Sequence, residues 1–130
     1  MWIKSKIYLF ICVVCIIAIG CATIPEEKPG PRALASLELT KKGKRLLDSG
    51  KADEAIRVLE QAVSIDSSNG RNYYYLSEAW LAKGRENIRP ATEFNHLAGI
   101  YLKSDEKWME KVNSQKAYIE KIQQQFLMNL

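Results

Sequence analysis

Two glycines that end predicted helices, Gly50 and Gly84, recur at a sequence offset of 34, and this offset restricts the possible folds more than any other feature. Each glycine follows a run of apolar residues at helical spacing. The same offset relates four further pairs, Leu39 and Tyr73, Gly43 and Ser77, Leu46 and Trp80, and Leu47 and Leu81. Self-similarity at such a period is typical of stacked helical units, because one unit cannot bury its apolar face alone. The sequence therefore predicts an all-α fold of consecutive helical hairpins.

Helical periodicity continues from Ala33 to the end of the chain, with no alternating pattern typical of a strand. We expect a first helix that ends at Asp48, a second over 53–65, a third over 73–83, a fourth from Glu86 or Pro90 to Leu102, and a fifth over 105–126. Five leucines are predicted to form the buried face of the first helix, namely Leu34, Leu37, Leu39, Leu46 and Leu47. Ser104 is the predicted N-cap of the fifth helix.

The first predicted hairpin resembles the tetratricopeptide repeat. The resemblance lies in the pattern L-x3-G-x2-LL-x2-GKADEAIRVLEQAVSID, which starts at Leu39, although Ser67 stands where the family usually has proline. The second unit begins with YYYLSEAWLAKG and then departs, because Ala91 and Ala98 match only if about two residues are inserted near Pro90. The resemblance covers residues 36–102 and implies short α-solenoid repeats with a concave groove that binds a partner segment.

The N-terminal segment has the architecture of a secretory signal peptide. Lys4 and Lys6 precede an uncharged run over residues 7–22, and small residues including Gly20 come just before Cys21. Ending on cysteine makes the segment resemble the lipobox of bacterial lipoproteins, in which the cysteine is acylated and becomes the new N-terminus. The alternative is an uncleaved membrane anchor, but 16 uncharged residues fall short of the roughly 20 that span a bilayer.

Together the two resemblances predict the order of the domains, and the lipoprotein resemblance also predicts a location. Residues 1–20 are the signal peptide, 21–32 the acylated cysteine and a proline-rich linker, 33–103 the repeat domain, and 104–130 a C-terminal helix. Ala22 after the cysteine points, by the same resemblance, to an outer membrane with the domain facing the periplasm; in a Gram-positive envelope the location is the outer face of the single membrane. Cys12 and Cys15 fall within the signal peptide, so their C-x-x-C spacing predicts no redox or metal site.

Charge and composition provide no argument for nucleic-acid binding. The full chain carries 19 basic and 15 acidic residues, and removal of Lys4 and Lys6 with the signal peptide leaves the mature chain close to neutral. The charges are mixed along the chain, whereas a nucleic-acid footprint is a one-sided basic patch.

No catalytic or metal site is predicted, and no cofactor. Glu93 and His96 match one element of a di-iron site, but such sites need a second copy, and His96 is the only histidine. There is no glycine-rich phosphate loop. The sequence therefore predicts a binding protein and not an enzyme.

The predicted function is a membrane-tethered adaptor that binds another envelope protein in its groove. Carried over from the family, the partner-binding positions are Thr40, Lys44, Leu47, Arg71, Tyr74, Glu78 and Leu81. Tyr74 is the best candidate for an exposed aromatic anchor, since Tyr73 and Trp80 are expected in the core. The alternatives are a small apolar-ligand carrier and an oligomeric structural component of the envelope.

The fifth helix allows two interpretations. Its apolar stripe consists of Trp108, Val112, Ile119, Ile122 and Phe126, interrupted by Gln115. The stripe predicts a helix that caps the open end of the repeats. The alternative is self-association through this helix, which the apolar residues 126–128 favour.

Overall fold

The computed structural model describes residues 28–129, and the predicted signal peptide, Cys21 and most of the predicted linker lie outside them. This part consists of helices and short connections with no strand, which confirms the all-α prediction for it. Five α-helices follow one another: α1 Pro31–Asp48, α2 Ala52–Ile65, α3 Gly70–Lys83, α4 Ile88–Tyr101 and α5 Glu106–Met128. A single 3-10 turn, Arg85–Asn87, joins α3 to α4. None of the helices within residues 28–129 is long and apolar enough to cross a membrane.

Local sequence determines where the helices begin and end. Pro31 starts α1, two residues before the predicted boundary, because proline lacks the amide hydrogen that a first-turn residue leaves unbonded. Gly50 ends α1 with φ +74°, and the amide of Lys51 donates to the carbonyl of Leu46 at 2.9 Å. This is the Schellman arrangement, which favours glycine because a side chain is strained at positive φ. At α5 the N-cap is Asp105, whose carboxylate accepts from the amide of Trp108, so the prediction of Ser104 was wrong by one residue.

The buried face of α1 consists of small residues and not of leucines. Ser36, Thr40 and Gly43 are buried, whereas Leu34 is exposed and the other four leucines are partly buried. At Gly43 an added Cβ would lie 2.5 Å from Cγ of Leu59, so α1 and α2 approach more closely than a side chain at this position permits. Leu46 and Leu47 still pack against the core although they are only partly buried. The predicted leucine face therefore contributes to packing, but the fully buried positions of α1 are small residues.

Buried hydrogen bonds join α1, α2 and α3. The hydroxyl of Ser36 donates to the carbonyl of Ala62 at 3.0 Å and accepts from the side-chain amide of Asn72 at 3.1 Å. The Thr40 hydroxyl lies within hydrogen-bond distance of Asn72 Oδ1 and of the Ser36 carbonyl. Because these groups are buried with their partners present, the network offsets the cost of desolvating them.

A second buried network joins α5 to α4 and α3. The side-chain amide of Asn95 donates to the carbonyl of Val112 at 3.0 Å and to Gln115 Oε1 at 2.9 Å. Gln115 Nε2 in turn donates to the carbonyl of Tyr74 at 3.3 Å. Gln115, which interrupts the apolar stripe in the sequence, therefore forms a side-chain hydrogen bond that links α5 to α3.

Candidate functional site

The candidate site is an open groove between α3 and α5, with a volume of about 730 Å³. Its walls come from two helices that are far apart in the sequence. Tyr74, Glu78, Leu81 and Ala82 contribute from α3, and Lys107, Glu110, Lys111, Ser114, Gln115 and Tyr118 contribute from α5. The hydrogen bond from Gln115 to the Tyr74 carbonyl joins the two walls.

Three aromatic side chains form a cluster beside the groove, and one of them, Tyr74, also lines it. Tyr74 and Tyr75 meet the ring of Trp108 edge to face, with centroids 5.4 and 5.9 Å from it, and lie 5.3 Å from each other. All three are partly buried, so each has one surface in contact with its neighbours and another open to solvent. Rigid aromatic surfaces of this kind dominate binding hot spots, because they bury a large area at a low entropic cost. We call these residues the aromatic cluster.

Two cationic side chains lie over the ring of Trp108. Cζ of Arg71 is 5.0 Å and Nζ of Lys111 is 4.3 Å from the ring centroid. This is the range in which the face of an indole attracts a cation. Neither residue, nor Lys107 beside them, takes part in an ion pair within residues 28–129. The aromatic cluster is therefore bordered by basic groups that have hydrogen-bond donors to offer.

Glu78 lines the groove from α3, and its side chain is exposed overall. Desolvation by the surrounding groove raises the pKa of Glu78, and Lys44 and Lys111 oppose this effect while Asp48 adds to it. Lys44 itself is held by Asp48 at 2.6 Å on α1. Desolvation likewise raises the pKa of the Tyr74 and Tyr75 hydroxyls.

The structure brings most of the predicted partner-binding residues to this region. Tyr74, Glu78 and Leu81 line the groove, and Arg71 borders it. Lys44 and the partly buried Leu47 lie on α1, and Lys44 is close enough to influence the pKa of Glu78. Tyr74 was expected to be an exposed anchor, but it is partly buried, because Trp108 and Tyr75 cover part of its ring.

Thr40 does not belong to the groove surface. It is only 3% exposed, and its hydroxyl is bonded to the interior groups of α1 and α3. Thr40 is part of the contact between the helices, because α1 packs there through small residues. Thr40 is therefore a structural residue that sets the position of α3.

Tyr75 and the α5 wall are absent from the partner-binding positions that the sequence predicts. The sequence places Trp108 on the apolar stripe of a helix that caps the repeats. A signal was present, since the offset of 34 relates Thr40 to Tyr74 and also Tyr74 to Trp108. The insertion near Pro90 hid this relation, because it lengthens the offset of the intervening α4 positions to 36.

The expected core aromatics differ in their burial. Tyr73 is buried, stacks on Tyr101 at 5.3 Å and donates its hydroxyl proton to the carbonyl of Ser67 at 2.9 Å. Trp80 is only partly buried, and its indole N–H has no hydrogen-bond partner within the described residues. Lys83 lies 5.2 Å from the Trp80 ring.

Glu93 and His96 lie apart from the groove walls. Both are exposed, and Glu93 is paired with Arg89 at 3.4 Å. Among residues 28–129 no three histidine, cysteine, aspartate or glutamate side chains are grouped as a metal site requires.

Comparison with known proteins provides no relative for this chain. No protein-family model, no curated protein and no solved structure matches it.

Proposed function

We propose that the chain is a lipid-anchored adaptor of a bacterial envelope that holds a segment of another protein in the groove between α3 and α5. The single observation that carries this proposal is the aromatic cluster at an open groove, bordered by Arg71 and Lys111 without ion pairs among the described residues. Interface hot spots combine large aromatic surfaces with arginine.

The finer architecture that we propose is a short tetratricopeptide-like array. Small residues recur at the predicted positions of both hairpins, with Gly43 and Ser77 buried in the two contacts. In such an array α1, α3 and α5 are the inner helices, and the groove is their shared concave face. The contribution of α1, α3 and α5 to the region around Glu78 supports this arrangement.

The anchor that we propose is an acyl group on Cys21, which places the domain at the outer membrane facing the periplasm. Several buried acyl chains hold a protein at a membrane stably, whereas one holds it only marginally. Metabolic labelling with a fatty acid tests this directly. Label that is present in the wild type and lost in Cys21→Ala supports the anchor, and label that persists without Cys21 contradicts it.

In-cell crosslinking with mass spectrometry tests the groove. Two variants are compared with the wild type: Tyr74→Ala with Arg71→Ala, and Arg71→Glu with Lys111→Glu. The second changes only exposed side chains, so it alters the groove without disturbing the core. We expect one envelope protein to be captured by the wild type and lost in both variants.

A matched control separates loss of binding from loss of structure. Arg57→Ala with Ile100→Ala removes exposed side chains of α2 and α4 that do not line the groove. This control should capture the same protein as the wild type, and all chains should have the same helical circular dichroism. Capture that survives both groove variants would contradict the proposal.

A further inference from the structure

Apolar residues at the end of α5 are exposed and do not line the groove. Phe126, Leu127 and Met128 are 66%, 69% and 77% exposed. The bond between Gln123 and Thr92 at 3.2 Å places the last turns of α5 beside the start of α4. We use the name terminal patch for the partly buried Ile88, the exposed Phe126, Leu127 and Met128, and the buried Ile122 beneath them. Contiguous apolar surface of this kind marks an interaction site more often than single exposed residues do.

The terminal patch contains a hollow as well as projecting side chains. The hollow has a volume of about 500 Å³ and is lined by Ile88, Ile122, Phe126 and Leu127 together with the polar residues Arg85 and Gln123. A surface that carries both a hollow and adjacent projecting side chains can pair with an identical surface across a twofold axis. The projecting side chains of each copy then fill the hollow of the other. We propose that two copies of this chain associate tail to tail through the terminal patch.

The opposite end of the helical stack argues against head-to-tail association. The surface between α1 and α2 is lined mainly by polar groups, with Lys42, Glu54, Arg57 and Glu60 among them. Leu34 is the only large, exposed apolar side chain of these two helices. The terminal patch therefore finds no apolar counterpart on α1 and α2, whereas an identical patch provides one. Pairing of identical surfaces closes as a dimer and does not grow into filaments.

Charges at the rim of the hollow are suited to the same twofold arrangement. Arg85 and Glu86 are adjacent, both are exposed, and neither takes part in an ion pair within residues 28–129. In the proposed dimer the basic group of each copy faces the acidic group of the other. A rim of a single sign would repel an identical rim, whereas this mixed rim is compatible with pairing of two copies.

The association is tested with two differently tagged full-length chains expressed together. Membranes are solubilised in detergent, one tag is purified and the other is quantified. We expect recovery of the second tag with the wild type, and loss of at least about tenfold with Phe126→Asp plus Leu127→Asp, because unpaired charges in an apolar interface are costly. Ile100→Asp, at another exposed apolar residue, should retain the wild-type recovery. Since the substituted side chains are exposed, far-UV circular dichroism should be unchanged.

Two results would overturn the proposal. Absence of the second tag with the wild type would do so, and an apolar molecule found in the purified monomer would then assign the hollow to a ligand. Recovery that persists in the Phe126→Asp and Leu127→Asp variant would show that the lipid, the detergent micelle or another surface holds the copies together.

A charge exchange tests the tail-to-tail geometry. Arg85→Glu and Glu86→Arg alone should each reduce recovery of the second tag, because like charges then face each other. The double exchange, Arg85→Glu with Glu86→Arg, should restore recovery, since opposite charges face each other again. Failure of the double exchange to restore it would contradict the twofold arrangement.

Discussion

The hairpins α1–α2 and α3–α4 place small residues at matching positions but fill the space between their helices differently. Gly43 corresponds to Ser77 at an offset of 34, and Ala55 and Ala62 correspond to Ala91 and Ala98 at an offset of 36. In the first hairpin Leu59 fills the interior against Gly43. Its counterpart in the second hairpin, at the same offset as the alanines, is Asn95, which is buried and bonded to α5.

This difference shows that one backbone arrangement can serve two purposes. The first hairpin is held together by the apolar contact of Leu59 with Gly43, which only a glycine permits, and by the buried hydrogen bond from Ser36 to the Ala62 carbonyl. In the second, the Ser77 hydroxyl donates to the carbonyl of Ala91 at 2.7 Å. Asn95 stands at the position that corresponds to Leu59, and its side-chain amide donates to α5. The first hairpin is therefore built for internal stability, and the second attaches the helix that forms the other wall of the groove.

Truncation of Leu59 should produce the largest loss of stability. The side chain is fully buried, so Leu59→Ala is expected to lower the free energy of unfolding by about 2–5 kcal/mol through lost burial and the remaining cavity. Urea denaturation followed by circular dichroism measures the change. A loss below about 1 kcal/mol would contradict the central role of this contact.

Addition of a methyl group at Gly43 tests the close approach itself. Gly43→Ala should lower the free energy of unfolding by about 1–3 kcal/mol, since its Cβ collides with Leu59 and the core is overpacked. The control is Gly99→Ala in α4, where the new Cβ would lie 3.7 Å from Val112. There the gain in helix propensity should make the change neutral or stabilising by up to about 1 kcal/mol.

Combining Gly43→Ala with Leu59→Ala sharpens this test. Because the methyl group added at position 43 then occupies part of the cavity, its cost should fall by at least about 0.5 kcal/mol. Additive effects of the two substitutions would indicate that Gly43 and Leu59 are not coupled.

Replacement of Asn95 by leucine, the residue type at the corresponding position of the first hairpin, should destabilise the second hairpin. Asn95→Leu leaves Gln115 without its donor in the interior, at an expected cost of about 1–3 kcal/mol. The double variant Asn95→Leu with Gln115→Leu should recover part of this loss in urea denaturation, because both polar partners are then removed. A single variant as stable as the wild type would remove the distinction between the two hairpins.

The smallest change in the free energy of unfolding is expected at Glu78, which lines the groove and lies outside the interior of both hairpins. Desolvation raises its pKa in the folded chain above the ordinary value of 4.5, so the folded state binds this proton more tightly than the unfolded state. Its contribution to stability is present below about pH 4.5 and is lost as the pH rises through the raised folded value. Glu78→Gln should therefore match the wild type at pH 3.5 and be more stable at pH 7 in urea denaturation.

Removal of a charge elsewhere provides the control for this pH dependence. Glu60→Gln changes an exposed residue of α2 that lies outside the groove. It should not reproduce the gain of Glu78→Gln at pH 7. Equal gains in both variants would indicate a general effect of net charge and not the desolvation of Glu78.

Helix positions were predictable because their signals are local. Gly50 and the apolar periodicity of residues 53–65 predict the end of α1 and the course of α2 closely, since capping and amphipathic spacing act over a few residues. The N-cap of α5 is Asp105 and not the predicted Ser104. Both side chains can accept a hydrogen bond from a backbone amide in the first turn of a helix. The choice between them depends on the angle at which the chain enters the helix.

The groove was less predictable, because its two walls are joined by contacts between distant residues. Tyr74 was predicted as an anchor from its position beside Tyr73, but its partner Trp108 looked like a core residue. Gln115 looked like a defect in an apolar stripe, and its hydrogen bonds to Asn95 and Tyr74 become apparent only when α5 is placed. Burial of a polar residue depends on which partners surround it, and composition alone does not contain that information.

For residues 28–129 the sequence by itself determined the helical class, the five helices and the turns between them, because propensity, capping and periodicity act locally. Only the tertiary structure decided that the fully buried positions of α1 are Ser36, Thr40 and Gly43 while its leucines are at most partly buried, and that Thr40 is interior while Trp108 borders the groove. The physical reason is that several faces of an amphipathic helix can be buried. The selection among them depends on how closely the neighbouring backbones approach and which polar groups find partners there.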